Sequence, residues 1–404
     1  MNSNAIPMHP SLPEPDAEER AHAERLAEHL REEIAAQGPM PFSRFMERCL
    51  YAPGLGYYSA GKPKFGAAGD FITAPELGDL FAQCVAQTLA PALRALGPQA
   101  EMIELGGGSG AFAEAAIKAL DAAGAMPYRY RILEPSADLR ERQGERLRMA
   151  LPAKLFARVT WLERPPEQAW RGVLFANEVI DALPTTRFTL HEGEVFEEHV
   201  EIDDEGGFRR SARPADPLVA GAVRHLERAL GERFVDGYRS EILPQLPYWI
   251  QAVGGTLEAG LMLFVDYGYP RAEYYHPERT DGTLRAFYRQ RMHGDVLRHP
   301  GLQDLTASVD FTALAEAGVH AGFEMAAYLP QAQFLIASGL QEAFQQAHAQ
   351  AQDEQARYAL AQEVKHLTLP GEMGERFQVM LFTRGLDADA LPRDVRLADR
   401  SQRL

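Results

Sequence analysis

Four acids and one run of glycines carry the chemistry that can be read from this chain. The run is Glu104-Leu105-Gly106-Gly107-Gly108-Ser109-Gly110, led in by Met102-Ile103 and followed by Ala111-Phe112-Ala113-Glu114-Ala115-Ala116-Ile117. A short apolar run, a glycine turn and a helix-forming stretch make the first βα unit of a doubly wound sheet. Glycines let the main chain turn sharply and let a ligand lie against it, because no Cβ intervenes. Gly106, Gly108 and Ala111 satisfy the dinucleotide fingerprint G-x-G-x-x-G/A. That ligand places a doubly negative pyrophosphate at the helix N-terminus. Glu104, two residues before the first glycine, would oppose it and would stabilise a cationic cofactor instead. Glu134 ends the next strand, where nucleotide-binding folds set an acid to accept hydrogen bonds from ribose hydroxyls. The plainer alternative for Glu134 is an acid preceding the helix that starts near Ala137.

The third and fourth acids lie in Asn177-Glu178-Val179-Ile180-Asp181-Ala182-Leu183-Pro184, just beyond the fourth strand of the pattern. In an open α/β sheet, ligands bind outside the carboxyl ends of the strands. Asn177 is therefore assigned to the cofactor. Glu178 and Asp181, three apart, can share one face of a helical turn and are expected to face the acceptor. Against this stands a purely structural reading, with Asp181 capping a turn before Pro184 and Glu178 a solvated acid.

The elements that position these residues follow from periodicity. Helices are expected at 17–37, 42–50, 76–96, 137–150, 219–230, 242–258, 311–317, 331–338 and 340–366. Strands are expected at 101–105, 128–133, 159–162, 172–176, 261–265, 323–328 and 377–382, and a hairpin at 190–202. Residues 203–217 read as polar turns. The result is an α/β chain with a Rossmann-like, seven-stranded sheet. Residues 1–15 are expected to be disordered, and 16–97 to form a helical N-terminal region with a lid loop at about 51–75. The core takes 98–385, with insertions at about 187–258 and 270–310, and 386–404 is a loose tail.

The whole chain sets bounds on these readings. With 46% hydrophobic and 24% charged residues among 404, it is a globular protein with a sizeable core. A net charge of −16 argues against a nucleic-acid partner, which needs a basic surface. No apolar run approaches the length of a membrane span. Two cysteines, Cys49 and Cys84, give neither a disulfide framework nor metal-ligand spacing. The acidic, Pro-rich start has no apolar signal core. A bacterial cytoplasm is the expected setting, with no metal.

Several separated motifs together resemble one family. They are Gly54-Leu55-Gly56-Tyr57-Tyr58-Ser59, Gly69-Asp70-Phe71-Ile72-Thr73-Ala74-Pro75-Glu76, the glycine turn, the Asn177 to Pro184 run, Asp266-Tyr267-Gly268-Tyr269, Gly282-Thr283-Leu284-Arg285 and Pro300-Gly301 to Phe311. In this order they are similar to the MidA-like class I methyltransferases, which use S-adenosylmethionine (SAM). That family includes the mitochondrial protein arginine methyltransferases that assist complex I assembly. Glu104-x-Gly106-x-Gly108-x-Gly110 matches the family's first motif, and SAM carries an ammonium and a sulfonium but no phosphate. The resemblance implies SAM as cofactor, with Asp70, Phe71, Thr73 and Glu76 approaching it from the side opposite the glycine turn. It implies a protein arginine, on a complex I subunit, as acceptor. Two other readings stay open: a small-molecule acceptor, or an assembly factor that binds SAM with little turnover. Tyr57 and Tyr58 either cover the acceptor or are plain core. The family's histidine beyond the Gly-Thr-Leu-Arg run falls near Gln290 here, and His293 and His299 are expected at the surface.

Overall fold

The computed structural model describes residues 12–60 and 73–404, apart from the side chain of Ala388. Contacts divide the chain into two units. One holds residues 12–60, 180–245 and 271–308; the other holds 73–179, 246–270 and 309–404.

The second unit is built on a sheet of seven principal strands. These are β1 (Glu101–Leu105), β2 (Arg129–Leu133), β3 (Val159–Leu162), β4 (Trp170–Asn177), β5 (Leu257–Tyr269), β6 (Glu324–Pro330) and β7 (Phe377–Arg384). Their order is β6-β7-β5-β4-β1-β2-β3. Neighbours from β5 through β4, β1 and β2 to β3 run parallel, and β7 pairs antiparallel with both β5 and β6. Five parallel strands with a terminal antiparallel pair are the class I methyltransferase topology expected from the sequence. A parallel sheet is covered on both faces, so its central strands are apolar throughout; Val173 to Ala176 and Leu261 to Val265 are all buried.

The helix Leu80–Leu96 belongs to this unit and not to an N-terminal region ending at 97. Its apolar stripe, including Phe81, Val85 and Leu89, joins the sheet's core. The helix expected at 76–96 is two, Ala74–Leu77 and Leu80–Leu96. The buried carboxylate of Glu363 accepts from the Leu80 amide at 2.7 Å and so caps the second. The single helix expected at 340–366 is likewise two, Leu340–Gln350 and Glu354–Thr368, with Asp353 accepting from the Ala356 amide. Residues 386–404 are not a loose tail. Leu391 and Val395 are buried in the sheet's core, and Asp399 accepts from the Tyr328 amide.

The first unit carries a five-stranded antiparallel sheet. Met40–Pro41, Glu194–Ile202, Thr186–His191 and Arg239–Ile242 lie in that order, and Phe208–Pro214 also pairs with Glu194–Ile202. Phe208–Pro214 replaces the expected polar turns, and Arg239–Ile242 precedes a helix confined to Leu246–Gly254. A second sheet joins Arg291–His293, Arg285–Tyr288 and Asp304–Thr306. The helices Ala17–Gln37, Phe42–Tyr51, Pro217–Leu230 and Arg271–Tyr274 also belong to the unit, the first two burying Leu26, Leu30, Phe42 and Phe45. Residues 1–11, and with them most of the expected disordered segment, lie outside the described residues. No helix among the described residues is long and apolar enough to cross a membrane.

Candidate functional site

The glycine turn sits at the carboxyl end of β1. The Gly106 amide donates to the Leu133 carbonyl at 3.0 Å, which ties the turn to the end of β2. Gly106, Gly108 and Gly110 have φ of 65°, 53° and 83°, a region that residues with a Cβ seldom enter. A Cβ on Gly107 would stand 2.6 Å from Ile132 Cγ2. Gly110 starts the helix Ala111–Ala122, whose Phe112 stacks on Phe175 of β4 at 4.0 Å. That stacking fixes the helix start against the sheet. Ser109 donates to the Glu76 carboxylate and accepts from the Ala111 amide, so Glu76 lies against the turn itself.

Glu104 is 2% exposed. Burial raises its carboxyl to about 7, Tyr130 Oη donates to it at 2.6 Å and opposes that rise, and nearby Glu134 adds to it. The raised value gives a sign. The neutral acid is favoured in the fold, so its contribution to stability is full below the ordinary carboxylate range and is lost as pH rises through about 7. A cationic ligand favours the carboxylate. Affinity for S-adenosylmethionine, which carries the sulfonium, measured by calorimetry, is therefore expected to rise about tenfold between pH 6 and 8, the span of protonation to be removed. Glu104→Gln is expected to flatten that profile; a parent profile already flat would show that the acid does not sense the cofactor.

Glu134 is buried at the end of β2. The Ser136 amide donates to its Oε1 at 3.0 Å and Gln143 Nε2 to its Oε2 at 3.3 Å. Gln143 also donates to the Gly108 carbonyl at 2.9 Å and accepts from Trp161 Nε1 at 2.8 Å. One buried amide thus clamps the acid to the glycine turn. Sequence reasoning missed Gln143, although it interrupts the buried stripe Leu139-Gln143-Leu147 of its helix, where a polar residue signals a network. Glu134→Ala is expected to weaken S-adenosyl-homocysteine binding by about ten- to a hundredfold, the weight of hydrogen bonds to a charged group; unchanged affinity would refute the ribose assignment.

Asn177 ends β4. Its Nδ2 donates to Glu178 Oε1 at 2.9 Å, while its buried Oδ1 has no partner among the described residues. Glu178 has φ 52°, and its amide donates to the Val265 carbonyl at 2.9 Å. The expected helical turn over Glu178 and Asp181 is absent, because Glu178 is left-handed and a turn closes from Leu183 N to Ile180 O. Asp181 is buried in the other unit, where its carbonyl accepts from the Ala307 amide at 3.0 Å. Thr73 is buried at the start of Ala74–Leu77, with no side-chain cap bond. Asp70 and Phe71 lie outside the described residues.

In the first unit, Tyr58 Oη donates to Asp304 at 2.9 Å and Tyr51 Oη to the Ala182 carbonyl at 2.9 Å. Asp304 was not anticipated. His293 is not at the surface: it is fully buried in the strand Arg291–His293, and burial pushes its imidazole pKa down.

Taken alone, the second unit's groups suit a cationic nucleoside: a bare glycine cradle, a desolvated carboxyl, a clamped acid, and an orphaned amide oxygen ready to accept from an ammonium. Comparison with known proteins agrees. The profile of the S-adenosyl-L-methionine-dependent methyltransferase family Methyltransf_28 matches residues 84–329. A Burkholderia thailandensis crystal structure bound to S-adenosyl-homocysteine is 41% identical, with a TM-score of 0.90 over 98% of this chain and 100% of that one. "Protein arginine methyltransferase NDUFAF7 homolog, mitochondrial" of Drosophila melanogaster is 29% identical over 94% of this chain and 90% of its own length. Its human counterpart is 26% identical over 86% and 81%.

Proposed function

Since the chain belongs to the S-adenosyl-L-methionine-dependent methyltransferase family, we propose that its acceptor is an arginine side chain of a protein. The observation that carries this reading is Glu178. A non-glycine residue is held at φ 52° directly after Asn177, at the carboxyl end of β4. Such backbone costs about 1 kcal/mol or more and persists only where the surrounding structure enforces it, which makes it a pointer to a functional side chain. The relatives named as protein arginine methyltransferases support the same acceptor, and the family resemblance points to a respiratory complex I subunit. Cys49 and Cys84 are both free and buried, which accords with a reducing cytoplasm.

When bound, SAM supplies a methyl group already activated by the sulfonium. The protein's part is then positioning and charge. Glu104, the glycine turn, Asn177, Glu134, Thr73 and Asp70 are assigned to the cofactor. A guanidinium is planar and cationic, and carboxylates grip its N–H groups in pairs. Glu178 and Asp181 are assigned to that grip, in which they would draw positive charge on the guanidinium away from the nitrogen that takes the methyl.

The test is mass spectrometry of the host proteome with and without this protein. One methylarginine peptide is expected to vanish when the protein is deleted. Unchanged methylarginine throughout would leave the arginine reading without support and turn attention to small-molecule acceptors or a role in assembly.

A further inference from the structure

The first unit gathers aromatic rings, buried acids and an unsatisfied hydroxyl in one place. Tyr51 and Tyr58 stack at 5.6 Å, 21° apart in plane, and Tyr57 meets Tyr58 edge-on at 5.1 Å. Both stacked rings keep part of their surface open. Tyr58 is fixed by its bond to Asp304, which is only 3% exposed. Asp304 begins the strand Asp304–Thr306, so Thr306, two residues on, points to the same face. Thr306 is also buried, and its hydroxyl has no partner among the described residues. A buried hydroxyl left unbonded is costly, and a ligand donor would recover that cost. Asp181 is brought to the same place. Its carbonyl is bonded to the Ala307 amide, next to Thr306, and the following carbonyl is bonded to Tyr51. Both Asp304 and Asp181 act on the Tyr58 hydroxyl, whose pKa burial and these charges together push well up. The one cation opposite Thr306 in register, Arg285, turns a guanidinium nitrogen to the Leu284 carbonyl.

We propose that Asp304, Asp181 and the Thr306 hydroxyl, walled by Tyr51 and Tyr58, form the pocket that receives the acceptor's guanidinium. This rests on the arginine reading above and adds Asp304 and Thr306 to it as binding residues. A guanidinium offers five N–H donors in a plane and stacks on aromatic faces; the pocket offers carboxylates and a hydroxyl as acceptors beside such faces. An ammonium has neither the fork nor the plane, so the arrangement favours arginine over lysine.

The experiment titrates the full chain, saturated with S-adenosyl-homocysteine, with N-acetyl-arginine amide and N-acetyl-lysine amide, following binding by NMR. The parent is expected to bind the arginine probe at least tenfold more tightly than the lysine probe. Asp304→Asn is expected to weaken the arginine probe at least tenfold, and Thr306→Val, close in size to the parent residue, severalfold. Affinity for S-adenosyl-homocysteine is the control for folding in both. Arginine affinity unchanged in both variants, or no binding of either probe by the parent, would overturn the pocket. If the lysine probe binds instead and both variants weaken it, the pocket stands and the arginine reading falls.

Discussion

Arg187→Met is expected to cost about 3–5 kcal/mol of stability, the toll of leaving buried carboxylates without their cation. Arg187 is 1% exposed in the strand Thr186–His191. Its Nε donates to Glu198 at 2.7 Å, Nη1 to Glu241 at 2.6 Å and Nη2 to Asp281 at 2.8 Å. Burial alone would lower the guanidinium pKa, but Glu241, Glu198 and Asp281 outweigh it and hold it above its ordinary value. The three partners are not equal. The Asp281 side chain is 67% exposed, so water can replace the arginine there and little is lost. Glu198 and Glu241 are buried, and methionine fills the volume while offering them no donor; Glu198 then keeps only the longer contacts of Arg239 at 3.7 Å and Arg210 at 4.0 Å, so most of the loss falls on Glu241. Glu241 has further duties: it accepts from the Thr283 amide at 2.9 Å and the Leu284 amide at 3.3 Å. A Cβ on Gly282 would come within 2.3 Å of its carboxylate, which is why that turn needs glycine. Losing Arg187 therefore loosens the Gly282-Thr283-Leu284-Arg285 motif as well as the sheet. Urea unfolding should show the midpoint fall with little change in slope. Adding Glu198→Leu to Arg187→Met should recover part of the loss, since an apolar replacement of both partners removes the stranded charge. A loss under 1 kcal/mol in the single variant would mean that water reaches these carboxylates.

How much of this could be read from the chain depended on distance along it. The glycine turn, Glu104 and Glu134 belong to one βα unit and its next strand, so their spacing alone places them at neighbouring strand ends, where the fold has them. The sheet order was legible for the same reason: parallel strands alternating with helices leave few topologies. Gln143 was legible in principle, as a polar break in an apolar stripe. Arg187, Glu198 and Glu241 were not, because only Glu198 falls in an expected strand and only the closed sheet brings the three together. Tyr58 and Asp304 lie 246 residues apart, and no periodicity links them. The strand Phe208–Pro214 reads as turns because Arg209, Arg210 and Arg213 give it no alternation. It lies at a sheet edge, where charge is a common guard against further pairing. The Glu178 backbone departs from expectation for a different reason. Spacing of three suggested a helical face, and a glutamate at positive φ is a local exception that no propensity foretells.

That exception sets up the second large effect. Glu178→Gln and Asp181→Asn are each expected to leave S-adenosyl-homocysteine binding within about twofold of the parent and to lower the rate of transfer by about a hundred- to a thousandfold, the range seen when one preorganised electrostatic contact is removed. The amide side chains keep shape and most hydrogen bonding; what they remove is negative charge. If the charge serves only to hold a turn, activity should survive. Asn177 bonding to Glu178 Oε1 offers a route by which Glu178 could act on the cofactor side instead, and the split between binding and rate decides between the two. Glu178→Gly gives an independent reading. Glycine accepts φ 52° without strain, gaining about 1 kcal/mol locally and losing a similar amount to backbone entropy. A melting temperature near the parent's, joined to lost transfer, would mean that the strained side chain is kept for chemistry. A clear fall in melting temperature with transfer retained would make Glu178 a structural residue and leave Asp181 and Asp304 as the acids that meet the acceptor.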